Sequence, residues 1–147
     1  MINLLAVIVL SLAITSSSEL ETVEIYYKGF WSHSPFPAPL EELKHDYILS
    51  VHSTKTSVPT KYLSILTDDF QPIKRRATSV EYVFYFVERN QAGVVVREVA
   101  GTHESLFDLT HGTYKEISES ERILLNNYIK AVSKDSSDFL PYKNHGS

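Results

Sequence analysis

The segment spanning residues 80–100 constrains the fold of this chain most strongly. It begins with VEYVFYFVER, a run dominated by apolar side chains, and after a polar stretch at residues 90–93 it returns as VVVREVA. A strand that is apolar on both faces is typical of a central strand covered on both sides. A short turn that contains glycine joins antiparallel strands. The segment therefore predicts a β-hairpin whose first strand lies in the middle of a sheet.

Other stretches also have the character of strands. Residues 22–28 and 47–54 alternate between the two sides with period two, and residues 105–109 and 113–117 are short β-prone stretches joined by a turn. Residues 59–66 fit either a helix or a strand. Residues 40–45 fit a short helix that starts after a proline. Residues 67–79 are polar and contain a proline, so we expect a loop there.

The C-terminal part carries a helix signal. Ser118 and Glu121 form a capping-box pattern at the helix start. The apolar residues that follow recur at helical spacing: Leu125, Tyr128, Ile129 and Val132. The prediction is an α+β fold, a curved antiparallel sheet of about five or six strands with the C-terminal helix packed on one face.

The first eighteen residues differ from the rest of the chain. They contain no charged side chain, and residues 4–14 are apolar except for Ser11. A short apolar run followed by small residues and then charge is typical of a secretory signal peptide, and it is too short to span a bilayer. We therefore expect a signal peptide at residues 1–18 and a single domain at 19–147, with a tail that frays from about residue 135. The mature protein is then secreted or periplasmic, with no stable membrane span.

Composition excludes several classes of protein. Lys and Arg total 14 against 18 Asp and Glu, a net charge of −4, which argues against a nucleic-acid partner. The chain has no cysteine, so disulfides, thiol chemistry and cysteine-ligated metals are excluded. It also lacks an Asn-x-Ser/Thr glycosylation site, and both absences fit a bacterial envelope protein.

Motifs for catalysis are also absent from the sequence. There is no G-x-S-x-G, no S-x-x-K, no glycine-rich phosphate loop and no closely spaced histidine pair. We therefore expect no cofactor, no metal site and no enzymatic activity. One alternative stays open, an unrecognised hydrolase built on His103, Asp108 and His111, which converge if residues 104–117 form a hairpin.

A second alternative is a small-ligand carrier. In this hypothesis the sheet and the helix enclose an apolar pocket, lined in part by Phe84, Tyr85 or Phe86.

Aromatic residues give the leading functional hypothesis. They are concentrated between residues 26 and 36, next to the proline-rich sequence SPFPAP. Exposed aromatic side chains are frequent anchors of protein interfaces, although aromatics more often fill the core of a small domain. Strict alternation places Tyr26 and Phe30 opposite Val23, Ile25 and Tyr27.

We therefore expect an exported, non-enzymatic module that binds another macromolecule, such as an inhibitor or an immunity-type protein. The expected contact residues are the aromatic group and one basic run: Tyr26, Phe30, Trp31, Phe36, Lys74, Arg75 and Arg76.

Overall fold

A computed structural model describes residues 20–33, 39–73 and 81–135 of the chain. The strands are β1 (Thr22–Tyr27), β2 (Leu49–Thr54), β3 (Gln71–Pro72), β4 (Phe84–Arg89), β5 (Val95–Gly101), β6 (Ser105–Asp108) and β7 (Thr113–Glu116). The helices are α1 (Leu40–Leu43), α2 (Thr60–Thr67) and α3 (Glu119–Asp135), with a 3-10 turn at Lys55–Ser57. Four features named in the sequence analysis lie outside the described residues: the predicted signal peptide, Phe36, the basic run at 74–76 and the tail beyond residue 135.

The strands form one antiparallel sheet. Its order is β2-β1-β4-β5-β6-β7-β3, so the hairpin strand β4 lies near the middle, between β1 and β5. The predicted α+β class with a curved antiparallel sheet is confirmed. The strand at the end of this order, β3, is two residues long and falls in the predicted loop at 67–79. Its Gln71 pairs with Tyr114 of β7.

One face of the sheet carries the main core. Side chains from β1, β4 and β5, such as Ile25 and Phe86, pack there against α2 and α3. Ile25, Phe86 and Ile129 of α3 are each at most 1% exposed. The ambiguous segment at 59–66 is a helix, and the ring of Tyr62 in α2 stacks on Tyr128 of α3 at 4.2 Å between centroids. This contact joins the two helices over the sheet.

The start of α3 is as predicted. The amide of Glu121 donates to Ser118 Oγ at 3.2 Å, and the amide of Ser118 donates to Glu121 Oε2 at 2.9 Å. These reciprocal bonds satisfy two amides that the helix itself leaves without partners. Leu125 and Ile129 of the apolar stripe are fully buried.

The opposite face of the sheet carries a smaller apolar cluster. Leu43 of α1 packs there with Tyr85 and Val87 of β4. Because Phe84 and Phe86 are buried on the main-core face, β4 is covered on both sides, as its composition predicted. Within the described ranges, no helix is both long enough and apolar enough for a bilayer span.

Candidate functional site

The first predicted contact residue, Tyr26, lies on the face of the sheet opposite the main core. Its ring is 5.3 Å from that of Tyr47 and 6.1 Å from that of Tyr85, and the imidazole of His52 meets it edge-on at 5.8 Å. Tyr26 is half-buried in this group. Burial, followed by the nearby carboxylate of Glu24, raises the pKa of the Tyr26 phenol.

Phe30 is not on that face, and the expectation that it is exposed is wrong. Its side chain is 1% exposed and belongs to the main core, where it stacks on Phe84 at 5.9 Å. Gly29 explains the difference, because its φ of +117° turns the chain after β1 and breaks the alternation. The amide of Phe30 then donates to Tyr27 Oη at 3.0 Å, which holds the reversed segment against the strand.

Trp31 follows directly and is 47% exposed. Its indole meets the ring of Phe30 edge-on at 6.3 Å, and the guanidinium carbon of Arg122 lies 5.9 Å from the indole centroid. Arg122 belongs to α3 and its Nη1 donates to the carbonyl oxygen of His103 at 2.8 Å. Trp31 is therefore an exposed aromatic side chain, and its contacts with Phe30 and with the guanidinium of Arg122 fix its position.

Next to Trp31, the structure brings together three side chains that are far apart in sequence. His33, Glu81 and His103 each offer a ligand atom, and these atoms lie within 4.8 Å of one another. The imidazoles of His33 and His103 are 4.6 Å apart between centroids. We call the surface formed by Trp31, His33, Glu81, His103 and Arg122 the Trp31 surface.

Sequence spacing did not indicate this cluster. His33 follows β1, Glu81 precedes β4 and His103 follows β5. These three strand ends lie together because β1 pairs with β4 and β4 pairs with β5. The hairpin of β4 and β5 was predicted, but the pairing of β1 with β4 was not. No local sequence pattern indicates that β1 and β4, which are far apart in the chain, pair with each other.

The hydrolase residues do not converge as a group of three. Asp108 Oδ2 lies 2.8 Å from His111 Nδ1, so this pair forms. His103 stands before β6, whereas Asp108 and His111 stand at its far end. Residues 103 and 108 are separated by about 16 Å of extended chain, at about 3.3 Å a residue.

His111 of the Asp108–His111 pair lines a groove beside α2. The groove has a volume of about 560 Å³, and charged side chains line it, including Lys55, Glu88 and Arg97. Lys55 Nζ lies 2.5 Å from Glu88 Oε1, and Arg97 Nε lies 3.7 Å from Asp108 Oδ2. The side chain of His111 is 55% exposed, so its second ring nitrogen is within reach of solvent.

The three residues named for the apolar carrier pocket are packed in the interior of the protein. Phe84, Tyr85 and Phe86 are at most 2% exposed, because they pack against neighbouring strands and helices. None of them lines the groove.

Comparison with known proteins gives no assignment for the chain. Neither the protein-family models, nor the curated proteins, nor the solved structures include a match to it.

Proposed function

We propose that this chain is a small exported, non-enzymatic module that binds a protein partner through the Trp31 surface. The observation that carries the proposal is the state of Trp31, which is 47% exposed although it is anchored by Phe30 and Arg122. Tryptophan and arginine are the residue types most enriched among interface residues that contribute strongly to affinity. Here the two lie in contact on one surface.

Preorganisation supports this role for Trp31. The neighbouring Phe30 is locked in the core, and Ser32 donates from both its amide and its hydroxyl to the carbonyl oxygen of Gly29, at 3.1 and 2.8 Å. The backbone on both sides of the indole is thus held in place. A side chain that is already ordered loses little conformational entropy on binding, so more of its contact energy contributes to affinity.

Export is part of the proposal and rests on the uncharged, apolar N-terminal segment. In the envelope or outside the cell, a one-domain chain without catalytic motifs fits an inhibitor or an immunity-type protein that neutralises a secreted enzyme.

Affinity capture tests the proposed function. The purified chain is immobilised and exposed to envelope and secreted extracts, in parallel with Trp31→Ala and with Val94→Ala. Val94 is the matched control, because it is 58% exposed in the turn between β4 and β5, at the opposite end of that hairpin.

The proposal predicts one stoichiometric protein that is retained by the unmodified chain and by Val94→Ala and lost with Trp31→Ala. No retained protein, or one retained equally by all three columns, would contradict it.

A second candidate function, proton-transfer hydrolysis, is favoured by the Asp108–His111 pair. A carboxylate that holds one imidazole nitrogen orients the other as a general base, and His111 lines a groove. This hypothesis predicts ester hydrolysis by the purified chain that disappears in His111→Ala and persists in His52→Ala. Hydrolysis that is undetectable, or equal in both variants, would remove it.

A further inference from the structure

The ends of three neighbouring strands create a second feature of the Trp31 surface. The amide of Lys28 donates to the carbonyl oxygen of Val83 at 2.9 Å, and the amide of Val83 donates to the carbonyl oxygen of Gly101 at 2.8 Å. These bonds hold the chain after β1, before β4 and after β5 side by side. His33, Glu81 and His103 extend from these three segments.

The hydrogen bonds of His103 determine which of its nitrogens carries a proton. Nδ1 lies 2.7 Å from the carbonyl oxygen of Phe30. Since a carbonyl oxygen only accepts, Nδ1 must be the donor. In the neutral ring, Nε2 then has a free lone pair, and it lies 3.2 Å from Glu81 Oε2.

A lone pair and a carboxylate oxygen repel each other at that distance unless a cation lies between them. Either a proton between the two groups or a metal ion supplies the positive charge. The position of His33 favours the metal ion, because a proton needs only the His103–Glu81 pair. With His33, three potential ligand atoms lie within 4.8 Å of one another, which is the arrangement expected of a metal site.

The distances agree with tetrahedral coordination. Metal–ligand bonds of about 2.0–2.1 Å to nitrogen and oxygen place neighbouring ligand atoms about 3.3 Å apart. The separation of 3.2 Å between His103 Nε2 and Glu81 Oε2 is close to that value. His33 is exposed, and its ring has to approach by no more than about 1.5 Å to complete the set.

Atoms around the cluster provide the support that metal-binding histidines usually have. A backbone carbonyl that accepts from the remote ring nitrogen orients the ligand and raises its basicity. Arg122 holds the backbone of His103 from α3, and the amide of Thr102 donates to the carbonyl oxygen of Ser105 at 2.9 Å. His103 therefore lies on a rigid turn.

We propose that His33, Glu81 and His103 bind one divalent zinc-class ion on the Trp31 surface. Two imidazole nitrogens and one carboxylate oxygen are ligands that Zn²⁺ prefers, and three protein ligands leave a fourth position open to solvent. The inference does not depend on the proposed partner-binding function.

Isothermal titration of the untagged, metal-free chain with ZnCl₂ tests the site. We expect one ion per chain with a micromolar or tighter Kd, and at least a tenfold weaker Kd for His33→Ala and for Glu81→Gln. His52→Ala is the matched control, because His52 is also an exposed histidine near a carboxylate, with 3.9 Å between its Nδ1 and Glu24 Oε1. This variant should bind zinc as the unmodified chain does.

A spectroscopic measurement gives an independent readout of position. Trp31 is the only tryptophan of the chain and lies two residues from His33. Cu²⁺ at the site should quench its fluorescence at one equivalent, and His33→Ala should remove this quenching. Titration without one-to-one binding, or a zinc affinity that His33→Ala and Glu81→Gln leave unchanged, would overturn the proposal.

Discussion

The Nδ1 atom of His103 lies 2.7 Å from the carbonyl oxygen of Phe30. This contact joins a turn of the sheet to the segment that turns back at Gly29. It connects the buried Phe30, the exposed Trp31 and the histidine cluster in one region of the surface.

Truncation of Phe30 should destabilise the fold much more than truncation of Trp31. Phe30→Ala removes a ring that is 1% exposed and should lower the free energy of unfolding by about 3–5 kcal/mol. Trp31→Ala removes a ring that is 47% exposed and should cost about 1 kcal/mol. Urea unfolding followed by circular dichroism measures both. Equal losses would mean that Trp31 is a core residue.

Lys55 should matter for stability more than a surface lysine does. Its Nζ lies 2.5 Å from Oε1 of Glu88, whose side chain is 10% exposed. Lys55→Met leaves that carboxylate buried without its cation and should cost about 1–3 kcal/mol. Lys44→Met is the control, because its partner Glu41 is 77% exposed and such a pair contributes about 0–1 kcal/mol. A similar melting temperature for the two variants would contradict this account of the pair.

Alkaline pH should destabilise the fold. Burial raises the pKa of the phenols of Tyr27, Tyr85 and Tyr128, and in Tyr85 the hydrogen bond to Glu98 adds to the effect. The unfolded chain therefore loses these protons first, from about pH 10 upward, while the folded chain keeps them. Since the folded state then binds more protons, its stability falls as the pH rises through that range.

Tyrosine absorbance near 295 nm, recorded together with circular dichroism, checks this prediction. Phenol ionisation should coincide with loss of structure above pH 10, and Tyr85→Phe should weaken the dependence of stability on pH in that range. Full ionisation of the tyrosines in a chain that stays folded would contradict it.

Local patterns in the sequence predicted much of the fold. The capping box of Ser118 and Glu121 and the apolar stripe that follows were sufficient for α3. The two-sided apolar run was sufficient for the central position of β4. In each case the residues that form the element also carry the signal.

Features that depend on contacts between distant segments were not predicted. The segment at 59–66 is a helix, and its contact across to α3 comes from Tyr62 stacking on Tyr128. Phe30 changes faces because Gly29 adopts a positive φ, which strict alternation does not anticipate. The histidine cluster depends on the pairing of β1 with β4, whose residues are separated by about sixty positions.

Trp31 is proposed to anchor a protein partner. The most direct test is the Kd of the captured partner for the unmodified chain, for Trp31→Ala and for Val94→Ala, measured by titration calorimetry. The account predicts that Trp31→Ala weakens binding about 30-fold or more, as loss of a central anchor worth about 2 kcal/mol does, while Val94→Ala leaves the Kd unchanged. An unchanged Kd for Trp31→Ala, in a variant whose circular dichroism is that of the unmodified chain, would contradict the claim.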